Sequence, residues 1–129
     1  MAWIHLVALL ALLEYLLFIV LVGRARGMYG IKAPATTGHE LFDRYFRVQM
    51  NTLELLILFV PALWMAAAYW NPAWVAAIGA VYVIGRLFYL REYVADPRSR
   101  TLGYVLSTAP IVLLLFGAGI GVLRSLAGI

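Results

Sequence analysis

Arg47, Asn51 and Glu54 stand at i, i+4 and i+7, so on a helix they share one face over two turns. Further along, Arg86, Tyr89 and Tyr93 are spaced i, i+3 and i+7 and do the same. Together they offer two guanidinium groups, an amide, a carboxylate and two phenols. Guanidinium pairs well with carboxylate, and a carboxylate such as Glu54 suits an ammonium group. The set therefore fits a small anionic ligand that also carries an amine and peptide groups.

The surroundings make the set unusual. The chain of 129 residues is 65% hydrophobic and 12% charged, with a mean hydropathy of +0.93, outside the range of a water-soluble domain. A spanning helix takes roughly 20 apolar residues, so the length accommodates four spans, short connections and a single domain over 1–129. Spans are expected at about 3–22, 46–69, 73–95 and 101–124, in an all-α, up-down four-helix bundle within a membrane.

The first apolar run, from Trp3 to Val22, lacks a basic leader and a small-residue cleavage site and is expected to be a retained helix, stopped at Gly23-Arg24-Ala25-Arg26-Gly27. Gly27, Gly30, Pro34 and Gly38 mark the loop that follows. Pro61 is expected to kink the second span by freeing the carbonyl of Ile57. Residues 69–74, rich in Tyr and Trp, suit a turn at the headgroup boundary. Asp96-Pro97 is expected to cap and restart a helix. Gly117 and Gly121 form a small-xxx-small face, equally suited to packing within one chain or between chains.

Both polar faces lie at the same end of their spans, below the expected headgroup level. Ionisable side chains at such depth are costly and normally turn toward the bundle interior or a water-filled cavity. Nine of the ten basic residues flank the connections between spans I and II and between spans III and IV. The positive-inside rule then places both connections in the cytoplasm and both termini outside. The formal charge of +4 and isoelectric point near 9.7 have this membrane explanation, so nucleic acid is not an expected partner.

Simpler explanations exist for each part. Arg24, Arg26, Lys32, Arg44, Arg91 and Arg98 need nothing beyond orientation and contact with anionic lipid. Arg47 with Glu54 would also serve as a structural ion pair, and Tyr89 with Tyr93 as part of an interfacial aromatic belt. Their convergence on one membrane side is what favours a site. There is no cysteine, so no thiolate metal site or cysteine nucleophile is available, and no metal is expected. His5 and His39 fall at an interface and in a loop, outside the candidate set.

The pattern Arg47-x-Gln49-x-Asn51-x-x-Glu54, followed by Gly85-Arg86-x-x-Tyr89-x-x-x-Tyr93-x-x-Asp96-Pro97-x-x-Arg100, resembles the MAPEG family of membrane-associated proteins in eicosanoid and glutathione metabolism. The resemblance covers essentially the whole chain and implies a homotrimer with glutathione, as co-substrate, held near the cytosolic face between subunits. It assigns Arg47, Asn51, Glu54, Arg86, Tyr89 and Tyr93 to glutathione binding, with Gln49 contacting it from the adjacent chain. It gives Arg100 the catalytic role of stabilising the glutathione thiolate. Arg26 takes the place of an accessory arginine, although the adjacent arginines of some members are here separated as Arg24 and Arg26. Leu55 stands where leukotriene-C synthase has an aromatic residue.

The implied function is a glutathione transferase or peroxidase acting on hydrophobic electrophiles or lipid hydroperoxides, in a membrane whose short loops point to a bacterial inner membrane. Two alternatives belong to other classes. One is a non-catalytic lipid-binding scaffold of the same family, against which Arg100 and the intact helix II motif argue. The other is a small multidrug exporter with a membrane-embedded glutamate, for which Glu14 is the motivating residue. An exporter has no use for the polar starts of spans II and III, and Glu14 is equally explained as buried and bonded to a neighbouring helix.

Overall fold

The computed structural model describes residues 1–129 and consists of four long helices: α1 (Ala2–Tyr29), α2 (Glu40–Tyr69), α3 (Pro72–Ala95) and α4 (Thr101–Leu126). All four are long and apolar enough to cross a membrane. α2 and α3 each pack against every other helix, while α1 and α4 lie on opposite sides of that central pair. The chain is thus an all-α, integral membrane four-helix bundle.

Local chemistry explains where the helices begin and end. α1 does not stop at Gly23, as its sequence led us to expect, but runs through both glycines to Tyr29. Glycine weakens a helix by only about 1 kcal/mol, and Arg24 and Arg26 are good helix formers, so the run survives beyond its apolar part. It ends at Gly30, whose left-handed φ of 67° turns the chain and lets its N–H reach the Arg26 carbonyl. α2 likewise starts before its apolar stretch: the His39 ring nitrogen accepts the Leu41 N–H at 3.1 Å, and Asp43 accepts from Thr37 and Gly38. α2 continues as one helix through Pro61.

Asn71 caps α3, accepting the Ala73 N–H at 2.9 Å with Pro72 in the first helical position. Asp96 and Pro97 begin a single 3-10 turn, Pro97–Ser99, in which Asp96 accepts the Arg98 N–H. α4 itself starts only at Thr101, and no cap comes from its own N-cap residue Arg100. The cap comes from α3 instead, where a Glu92 carboxylate oxygen accepts the Gly103 N–H at 2.7 Å. Arg44 serves the other end of α3, donating to the Val94 and Ala95 carbonyls while pairing with Glu40. This basic residue therefore has a structural task beyond orientation.

Two glycines set the separation of α3 and α4. A Cβ on Gly103 would lie 2.3 Å from the Tyr89 backbone nitrogen, and one on Gly85 would lie 2.6 Å from the Leu106 carbonyl carbon. Only a residue without a side chain admits that approach. Gly117 and Gly121 also pack within the chain: Trp70 donates its indole N–H to the Gly117 carbonyl at 2.7 Å, and Gly121 lies against the Tyr69 side chain.

Candidate functional site

At the basic end, α2, α3 and α4 splay around a cleft of about 570 Å³. Its walls are Arg47, Asn51 and Glu54 from α2, Tyr89 and Tyr93 from α3, and Arg100, Thr101 and Tyr104 from the start of α4. Helical spacing puts each helix's contribution on one face, and the bundle turns those faces toward one another. Arg47 and Glu54 approach at 3.4 Å across two turns, and both side chains are about half exposed. Such a long, solvated pair is worth little to stability, so both groups are free to exchange partners.

Arg100 stands at the rim. Its guanidinium lies 6.0 Å from the Tyr93 ring centroid, and its one internal acceptor is the Pro97 carbonyl at 3.5 Å. Most of its donors therefore point to open space. The Tyr89 and Tyr93 rings stack at 5.5 Å, with the Tyr104 ring 6.5 Å from Tyr89. An exposed guanidinium beside a phenolic wall is suited to holding an anion at the mouth of the cleft.

Arg86 occupies a different place. It does not line the cleft but lies directly beneath it, with no exposed surface. Its Nε donates to Ser107 at 2.9 Å, and its Nη1 donates to Asn51 at 2.8 Å and Thr52 at 3.1 Å. Its guanidinium sits 4.2 Å from the Tyr89 ring centroid. Ser107 and Thr52 pass their own hydroxyl protons back to Gly103 and Val48 carbonyls one turn away, which fixes the acceptors. Arginine carries donors only, so the oxygen of the Asn51 amide must face it. The Asn51 amide nitrogen is then the end left for the cleft, a donor rather than an acceptor.

Of the sequence candidates, Arg47, Asn51, Glu54, Tyr89, Tyr93 and Arg100 are brought together. Gln49 turns from the cleft and donates to the Tyr15 hydroxyl of α1 at 3.4 Å. Arg26 is also elsewhere: it donates to the Ala35 carbonyl and lies 5.0 Å from the Phe42 ring centroid. Thr101, Tyr104 and Ser107 were not among the candidates. Arg100, Tyr104 and Ser107 repeat the i, i+4, i+7 spacing of Arg47, Asn51 and Glu54, a signal obscured because span IV carries no charge from Leu102 to Leu123. Glu14 is buried as expected but, contrary to expectation, neither of its carboxylate oxygens has a bonding partner on a neighbouring helix.

Residues 4–120 match the model of the MAPEG family. An uncharacterized protein of the cyanobacterium Synechocystis is 42% identical over 124 residues, covering 96% of this chain and 90% of that protein. Human microsomal glutathione S-transferase 2 is 34% identical over 119 residues, covering 92% and 81% respectively. Guinea-pig leukotriene C4 synthase is 35% identical over 117 residues, covering 91% and 78%.

Proposed function

Since the chain belongs to the MAPEG family, we propose that its cleft binds glutathione and ionises the thiol for attack on lipophilic electrophiles or lipid hydroperoxides. The observation that carries this reading is the gathering of Arg47, Asn51, Glu54, Tyr89, Tyr93 and Arg100 around one opening at the basic end of the bundle. Glutathione has two carboxylates, an ammonium, two peptide groups and a thiol. Arg47 supplies a carboxylate partner, Glu54 an ammonium partner, and the Asn51 amide nitrogen a donor for a carbonyl. Arg86 acts from below by setting that amide rather than by touching ligand.

Arg100 then has the catalytic part. A fixed cation beside the thiol favours the thiolate, whose proton is released to solvent. In conjugation, the thiolate sulfur forms a bond to electrophilic carbon, and the displaced pair leaves with the leaving group or collects a proton from water. In peroxide reduction, the sulfur attacks the terminal oxygen, the O–O bond breaks, and the alkoxide is protonated. A second glutathione converts the resulting sulfenic acid to the disulfide with loss of water.

We place the chain in a bacterial inner membrane, basic end in the cytoplasm and both termini outside, as a homotrimer. Gln49, turned from its own cleft toward α1, suits contact with ligand bound by a neighbouring subunit. The hydrophobic substrate enters from lipid along the groove between subunits. The scaffold alternative predicts no glutathione binding, which a titration of the detergent-purified protein decides directly. For the enzyme, Arg100→Ala is expected to keep most of the glutathione affinity while reducing thiolate formation, read by ultraviolet difference absorbance, and turnover by about 100-fold. Unchanged thiolate and turnover would sink the assignment.

A further inference from the structure

Four polar atoms in the bundle interior lack partners: both carboxylate oxygens of Glu14, the Tyr82 hydroxyl and Nη2 of Arg86. The residues come from two different helices, α1 for Glu14 and α3 for Tyr82 and Arg86. Glu14 is 6% exposed, and Tyr82 and Arg86 are fully buried. Tyr82, Tyr89, Glu14 and Tyr104 are the ionisable groups near Arg86, and Glu14 is the one carboxyl group among them. α2 and α4 face Arg86 with the neutral groups of Asn51, Thr52 and Ser107.

An arginine stays protonated, and a cation removed from water is costly to the fold unless a counter-charge accompanies it. Glu14 is the residue placed to supply it. Its oxygens make no direct bond to Arg86, and four unpartnered atoms, donors and acceptors together, are what an internal water requires. We propose that Glu14 is the buried counter-ion of Arg86, joined through internal water to Nη2 and to the Tyr82 hydroxyl. Through Arg86 this pair holds the Asn51 amide nitrogen toward the cleft. Glu14 is thus a positioning residue that ties α1, which contributes nothing to the cleft walls, to the site formed by the other three helices.

The ion pair stands apart from the glutathione reading, whereas its effect on ligand rests upon it, and the experiment separates them. Infrared difference spectra of ligand-free wild type against Glu14→Gln should show a carboxylate stretching pair lost in the variant. Arg86→Met should convert that pair to the carbonyl band of a protonated acid. A protonated band for Glu14 in the wild type overturns the pair. Should the variants fail to fold, a high-resolution density map of the wild type decides: ordered water between Glu14 and Nη2 supports the proposal, and a dry locus refutes it. In glutathione titrations, Glu14→Gln should weaken binding about fivefold while the thiolate absorbance per bound glutathione stays constant. Unchanged affinity removes the positioning role. A wild type that binds no glutathione defeats the glutathione reading, and the infrared result still judges the pair.

Discussion

Away from the cleft, α1, α2 and α3 meet through Ile4, Ala8, Phe59, Ala62 and Ala76, with Phe59 stacked on Tyr82 at 3.9 Å between centroids. Beneath the cleft, the same bundle is joined by Arg86, Asn51, Thr52 and Ser107 through hydrogen bonds. Lipid tails are as apolar as leucine, so neither half gains from a hydrophobic drive between helices. One half uses close contact of small and aromatic side chains. The other uses charge-assisted bonds that would be unfavourable if left open to hydrocarbon. The contrast teaches that the polar layer is closed below and open above: one arginine, Arg86, is caged by hydrogen bonds, and another, Arg100, stands exposed at the rim.

The two halves should fail differently. The largest effect is expected where they share a backbone contact: Gly103→Val would drive a side chain into Tyr89 at 2.3 Å, and no folded protein should be recovered after detergent extraction. Arg86→Met comes next. It strips Asn51, Thr52 and Ser107 of their shared donor, and a loss of about 3 kcal/mol is expected, read as a lower thermal midpoint in micelles. The same variant should weaken glutathione binding, because the Asn51 amide is no longer held.

Phe59→Ala, in the apolar half, should cost on the order of 2 kcal/mol and leave glutathione affinity unchanged. Its cost is smaller than in a soluble core because the lipid-solvated reference removes the transfer part and leaves the cavity part. If Phe59→Ala harmed ligand binding as much as stability, the division between the halves would be wrong. The smallest effect belongs to Trp70→Phe at the far end. It loses one bond to the Gly117 carbonyl, about 1 kcal/mol, again without effect on the cleft.

Much of the site was legible because helical periodicity is strict. Once α2 is helical, Arg47, Asn51 and Glu54 must share a face, and the same holds for Arg86, Tyr89 and Tyr93 on α3. Periodicity does not say how far around a face each residue sits from its neighbour helix. Arg86 is three residues from Tyr89 and shares its helix face by spacing, yet it points into the junction with α4, while Tyr93 reaches the cleft. The close approach that makes this junction depends on Gly85 and Gly103, which meet backbone on the opposite helix and are ordinary glycines to a reader of one segment at a time.

The ends of the helices show the same division. Gly30, Asn71 and Asp96 act on their own immediate neighbours, so such signals can be found along the chain. Glu92 capping α4 and Arg44 closing α3 act across helices, where sequence distance hides the partner.

What the sequence determined alone is therefore the membrane bundle and the residue faces, since apolar length and the 3.6-residue repeat are properties of single segments. The tertiary structure decided which arginine is buried and which is free, which end of Asn51 faces the cleft, and that Glu14 has no direct partner. Those outcomes depend on the rotation and separation of packed helices, quantities no single segment contains.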